Sequence, residues 1–303
     1  MSDEVRISPF RPVLPERPGE CHYWGRLYGS SKALAISSAA SFASAPIVVI
    51  TTDTLSANNL LDELKFYTDN NSDISMLSFP DWETLPYDLF SPYQDIISER
   101  LATLVKLSSF KKGILVVPAT TIMHRLMPKE FLLSHSLALT IGQHLDLNTF
   151  KRQLCESGYV FSSQVMEHGD AAIRGSLIDI FPMGAKLPYR IDLFDNDIDS
   201  IRTFDPETQR SLEKVKSINI LPAKEIALID EGIARFRSKW RARFEGNPGH
   251  CPVYRDVSQG LAPAGIEYYL PLFYPDTDSL FDYIADNAFI LFDESVTDTA
   301  EQF

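Results

Sequence analysis

The sequence runs to 303 residues, with 45% hydrophobic side chains and a net charge of −13. That length exceeds one core of ordinary size and predicts two or more domains. The acidic balance argues against duplex DNA as the main ligand, because such binding draws most of its affinity from neutralised phosphates and the global field would oppose even a local basic patch. Three cysteines (Cys21, Cys155, Cys251) fit a reducing compartment, and no apolar run is long enough to span a bilayer, so a soluble cytoplasmic protein is expected.

Residues 1 to about 22 are proline-rich and read as an extended lead-in. An Ala/Ser-rich helical run follows to Ala45, then a buried-strand pattern over Pro46–Thr52, with a cap at Asp53–Ser56 and a helical stripe of Leu60, Leu61, Leu64 and Tyr67. Met76–Phe79 is a short strand. The loop from Pro80 to Asp95 is rich in aromatics and proline, and is expected to be packed. A helix is predicted over Ile96–Leu107, an apolar strand over Gly113–Pro118 and a helical segment over Thr121–Met127. Strands alternating with helices predict a parallel sheet covered on both faces.

The period changes near residue 136. Leu137–Ile141 alternates, and Leu147–Ser157 is a short helix. Strand-like runs follow at Tyr159–Met166, Ala171–Phe181, Tyr189–Phe194 and Ile198–Phe204, with another at Lys214–Leu221. This is an α+β domain with a mainly antiparallel sheet. One long helix is predicted over Lys224–Phe244, then an aromatic-rich turn over Gly260–Phe273 and a buried strand over Ala288–Phe292 that ends in Asp293 and Glu294.

Three patterns are candidates for chemistry. Lys32 stands where a phosphate loop places its lysine. Arg26 and Ser31 occupy the glycine positions, and Ala33 the magnesium-binding hydroxyl position, so the loop reads as degenerate. The buried strand delivering Asp293 and Glu294 has the pattern of a nucleotidase magnesium site, provided that the chain returns to the first sheet. Glu167-His168-Gly-Asp170 places acid beside base, but neighbours on a strand face opposite ways, so a turn or sheet-edge role is expected there.

The stretch from Arg174 to Phe194 reads as two strands joined by a turn at Pro182, Gly184 and Pro188. In the second strand Tyr189, Ile191 and Leu193 share one face, and Arg190, Asp192 and Phe194 the other. Two readings stay open on the residues alone. Phe194 packs under a helix and Arg190 is a solvated charge, or the two form an arginine–aromatic hot spot for a protein partner.

Several long strings resemble the bacterial transcription-repair coupling factor family. They are Asp81-Trp-Glu-Thr-Leu-Pro-Tyr-Asp88, Ser91-Pro-Tyr-Gln-Asp-Ile-Ile-Ser98, Val165-Met-Glu-His-Gly169, Arg174-Gly-Ser-Leu-Ile-Asp-Ile-Phe-Pro-Met-Gly184, Pro188-Tyr-Arg-Ile-Asp192 and Phe204-Asp-Pro-Glu-Thr-Gln-Arg210. The chain looks like the N-terminal, UvrB-like region of that larger protein; Ala264-Gly-Ile-Glu-Tyr268 and Phe289–Ser295 match UvrB too.

The resemblance implies an α/β fold: a RecA-like parallel-sheet lobe from residues 1–134 and 223–303, interrupted at 135–222 by an inserted domain like UvrB domain 2. It implies a non-catalytic module that recruits UvrA through Arg174, Arg190 and Phe194, with Lys32, Asp293 and Glu294 as a vestigial nucleotide site. The alternative is a residual ATPase lobe using those three residues. ATP and Mg2+ would serve a motor downstream of this chain. RNA polymerase and DNA would be met by other domains, and a C-terminal domain would mask the UvrA face. The sequence departs from UvrB in its degraded phosphate loop, in lacking the second helicase lobe, and in passing from the aromatic loop into the Ile96 helix with no room for a DNA-clamping hairpin.

Overall fold

A computed structural model describes residues 8–68, 74–86 and 88–302. The first seven residues of the proline-rich lead-in, and Tyr87 of the aromatic loop, lie outside the described residues. In chain order the strands are β1 (Ile47–Thr51), β2 (Met76–Ser78), β3 (Ile114–Pro118), β4 (Leu137–Thr140), β5 (Val160–Phe161) and β6 (Asp170–Arg174). They continue as β7 (Leu177–Ile180), β8 (Tyr189–Phe194), β9 (Asp197–Phe204), β10 (Ser211–Val215), β11 (Ser217–Ile220) and β12 (Phe289–Phe292).

Backbone contacts divide the chain into two compact units. One comprises Met1–Asp81, Lys106–His124 and Ser279–Phe303; the other comprises Trp82–Val105 and Arg125–Asp278. This division falls differently from the sequence boundaries at 134 and 222, because residues 82–105 and 223–278 group with the antiparallel strands.

The first unit holds a parallel sheet of order β12-β1-β3-β2. β1 and β3 are central and buried at all five residues, as their unbroken apolar runs require. Against them pack Ala33, Ile36, Ala39 and Ala40 of the helix Ser31–Phe42, and Ala57, Leu60 and Leu64 of the helix Thr54–Thr68. Each fully buried Ile or Leu stabilises by about 1.5–3 kcal/mol. Asp53 caps the second of these helices, its Oδ1 accepting the Ser56 N–H at 2.7 Å. β12 was expected to be buried. It is instead the edge of the sheet, with alternating exposure that leaves Phe292 63% exposed.

The second unit is built on a six-stranded sheet of order β10-β9-β8-β7-β6-β5, antiparallel except for the β5–β6 pair. β4 and β11 form a separate antiparallel pair. The register sorts the residues of the large sheet onto its faces. One row runs Ile173, Ile178, Ile191 and Ile201 from β6 to β9, and the last three are fully buried. The other face carries Ala172, Asp179, Arg190, Arg202 and Lys214 in one cross-strand row from β6 to β10.

Four sequence expectations are corrected in this unit. Ala171–Phe181 is two strands, because Gly175 takes φ 63° and turns the chain between β6 and β7. Tyr159–Met166 is paired only at Val160–Phe161. The helix predicted from Lys224 starts at Asp230 and ends at Arg243. Residue 229 is extended (φ −101°, ψ 162°), and Ile226 and Ala227 are buried in non-helical chain, so an apolar run there imitated a helical stripe. The aromatic loop is packed only in part. Trp82 is 2% exposed and Arg100 lies 4.8 Å over its ring, whereas Leu89 and Tyr93 are 89% and 80% exposed. In the other unit, the segment predicted as helical over Thr121–Met127 shows helix only at Ala119–Ile122.

A candidate docking face on the antiparallel sheet

β7 carries one acid in an apolar strand. Asp179 is flanked by Ile178 and Ile180, both fully buried, and its own side chain has no exposure. A buried carboxylate needs a cation, and the register supplies two. Arg190, directly opposite on β8, grips it as a fork: Nε donates to Oδ1 at 2.7 Å and Nη2 donates to Oδ2 at 2.9 Å. Arg174, near the end of β6, donates through Nη2 to the same Oδ2. Arg174 therefore reaches the same sheet face as Arg190. Two guanidiniums on one carboxylate leave this spot with one net positive charge.

The Arg190 side chain is only 16% exposed, which excludes the reading of it as a freely solvated charge. Nη1 donates to the Gln209 carbonyl at 3.1 Å, and the guanidinium lies 4.7 Å over the buried Phe204 ring. The Asp179 hydrogen bond raises the pKa of Arg190 still further, against the opposing effect of desolvation. Gln209 is held in the left-handed region (φ 57°), and its side chain donates to Val165 and Pro206 carbonyls. The string Phe204–Arg210 thus works as a clamp on Arg190. A small apolar cluster of Val165, Ala172, Phe181 and Phe204 forms within this unit.

Phe194 ends β8 on the Arg190 side of the strand, opposite Asp197, just before a tight turn in which Asp195 takes φ 56°. Its ring is 73% exposed, which overturns the reading that it packs under a helix. Four residues of strand separate it from Arg190 by about 13 Å. Arg174 is half exposed between the two extremes. The face grades from a closed, ion-paired end at Arg190 to an open aromatic tip.

The sequence reading missed Asp179. Its signal was a lone acid in the run Leu-Ile-Asp-Ile, which only the register could attach to two arginines. Asp170 closes a turn onto Met166 and Glu167, while His168 makes contacts distant in sequence. Asp170 Oδ2 accepts the Met166 and Glu167 amides at 3.0 and 3.1 Å, and His168 lies 2.8 Å from both Asp95 Oδ1 and the Ala185 carbonyl oxygen.

In the first unit, the parallel pairing of β12 with β1 brings Asp293 to Lys32, with Nζ and Oδ2 2.6 Å apart. The return of the chain to the first sheet is therefore observed. Each charge neutralises the other at the place where a phosphate and a metal would compete for them, and Glu294 is exposed. Ala33, fully buried, offers no metal ligand. The geometry supports a structural ion pair and gives no support to an ATPase site. Among the described residues no group of three or more His, Cys, Asp or Glu side chains is placed to hold a metal, and the three cysteines are free thiols. No described helix is long and apolar enough to cross a membrane.

Residues 137–226, which contain the whole face, match the family described as the UvrB interaction domain. The class is thus a protein bearing a UvrB interaction domain. Over 97% of its length the chain is 43% identical to the transcription-repair-coupling factor of Escherichia coli (strain K12). It is 41% identical to that of Haemophilus influenzae over 99% of its length, and 32% identical to that of Bacillus subtilis over 88%. The chain belongs to the transcription-repair-coupling factor family, and it spans about a quarter of the length of these relatives.

Proposed function

We propose that this chain is a non-catalytic module that recruits UvrA through the face bearing Arg174, Arg190 and Phe194. In this reading residues 135–222 are a UvrB-domain-2-like insertion in a RecA-like lobe made of 1–134 and 223–303. The observation that carries it is Phe194, a large aromatic 73% exposed at a strand end, on the same face as a buried arginine–carboxylate fork. Such a ring buries little of itself in the fold and fits a hot-spot anchor. The fork holds that face rigid, so little conformational entropy is lost on docking.

Catalysis, RNA polymerase contact and DNA translocation with ATP and Mg2+ are assigned here to parts of the full-length relatives outside this chain, in the cytoplasm. Masking of the same face by a C-terminal domain follows from the same reading, so a full-length protein should bind UvrA more weakly than residues 1–303. The experiment is a titration of purified UvrA with the 303-residue chain and its Phe194→Ala variant. Loss of roughly 1–4 kcal/mol of binding free energy with an unchanged melting temperature supports the assignment. Equal affinity would remove it.

A further inference from the structure

Arg174 and Arg190 are both occupied by Asp179, so neither guanidinium is fully available to a partner. The next residue in the same row is Arg202, directly across from Arg190 on β9. Its situation is different. The Nε of Arg202 is buried and has no hydrogen-bond partner. Its Nη2 stands 3.7 Å from Asp192 Oδ2, too far for a hydrogen bond, and that oxygen already accepts the Ser200 hydroxyl at 2.8 Å. The side chain is 36% exposed. On its other side, on β10, Arg202 pairs with Lys214, which is exposed and forms no ion pair among the described residues.

Arg190, Arg202 and Lys214 are therefore three cations directly opposite one another on adjacent strands, with Asp179 committed at one end of the row. Like charges in directly opposed positions destabilise a sheet. An unpaired, buried guanidinium N–H adds a further cost. Asp192, 3.7 Å from Arg202, offsets only part of the first cost.

We propose that Arg202, with Lys214 beside it, is the part of this face that pairs with carboxylates of the docked protein. The inference rests on the UvrA reading above and names the chemistry of the contact. A carboxylate approaching Arg202 would pair with the exposed part of its guanidinium, which the 3.7 Å contact to Asp192 leaves without a hydrogen bond. It would also neutralise the excess charge of the row. The partner surface is an acidic patch of UvrA, since the local row of Arg190, Arg202 and Lys214 attracts carboxylates and a guanidinium fork suits their planar geometry. Phe194 would anchor the apolar part of the contact, and Arg202 would set its register.

The test measures the affinity of purified UvrA for the 303-residue chain and for Arg202→Ala, Arg202→Lys, Phe194→Ala and Lys111→Ala, alongside melting temperatures. Lys111→Ala removes the same charge from an exposed site in the other unit. Arg202→Ala should bind about tenfold or more weakly, with a shallower dependence of affinity on salt and a melting temperature equal to or above the parent's. Arg202→Lys should fall between the two, and Lys111→Ala should match the parent. If Arg202→Ala binds like the parent while Phe194→Ala is weakened, the Arg202 assignment falls and the docking face stands. If both bind like the parent, the UvrA reading falls and takes this inference with it. Weakening of Arg202→Ala with an unaltered salt dependence would mark a structural role and overturn the proposal. So would a duplex DNA that binds the parent chain and is lost with Arg202→Ala.

Discussion

Arg190 holds Asp179 through two parallel hydrogen bonds, 2.7 and 2.9 Å long, across the β7–β8 ladder. This contact joins binding to stability. Removing one partner of a buried pair leaves an uncompensated charge and costs about 3–5 kcal/mol. Arg174 remains on the same carboxylate, so Arg190→Ala should fall at or below the lower end of that range in a urea titration. Phe194→Ala should change stability by less than about 0.5 kcal/mol. A loss of UvrA binding in Arg190→Ala is therefore to be read together with its melting temperature.

The clamp on Arg190 depends on Asp205. Its Oδ1 accepts the Thr208 and Glu207 amides at 2.8 and 2.9 Å, and the Thr208 amide is the leading cause that holds its pKa below the usual aspartate value. A carboxyl whose folded pKa lies below its unfolded one stabilises the fold above the unfolded value and loses that contribution as pH falls through the folded one. The turn should stay closed at neutral pH and open only below the ordinary aspartate range. Carboxyl-carbon NMR should place the Asp205 midpoint under that of a free aspartate. Asp205→Ala should speed hydrogen exchange at the Thr208 and Glu207 amides at neutral pH, with the difference from the parent fading as pH falls through the Asp205 midpoint.

Gly184 is held at φ 78°, and an added Cβ would meet the Ala102 Cβ at 2.8 Å. Gly184→Ala should cost more than about 1 kcal/mol, from strain in the left-handed region together with the clash. Gly142 has a similar φ of 84° in open space, so Gly142→Ala should cost less. Thermal denaturation of the two variants separates the steric from the conformational part.

Lys32 and Asp293 are about one-third and one-fifth exposed, so their pair is partly screened by solvent. Lys32→Ala should lower stability by roughly 1 kcal/mol or less. Mg-ATP should not raise the melting temperature of the parent chain, as it would if it bound the folded state. A Lys32-dependent thermal shift would revive the nucleotide reading.

The alternation of Tyr189–Phe194 gave the faces of β8 directly, and the apolar runs at Ile47–Thr51 and Ile114–Pro118 gave the central parallel strands. Other features depended on the register. Asp179 is attached to Arg174 and Arg190 by pairing across β6, β7 and β8, and no local pattern encodes that pairing. Arg202 and Lys214 sit opposite each other beyond a register shift in β10. The non-helical stretch before Asp230 escaped notice because Ile226 and Ala227 are buried there without helical order, next to Glu225, whose carboxylate is held by the buried Arg100 at 2.6 Å. A tertiary ion pair of that kind overrides local propensity and leaves no mark on periodicity.

The most direct test of the docking face is the dissociation constant of UvrA with the Phe194→Ala chain, since Phe194 is exposed and does not hold the fold. The account expects binding weaker by roughly 1–4 kcal/mol at an unchanged melting temperature. A dissociation constant equal to the parent's, with the fold intact, would contradict it.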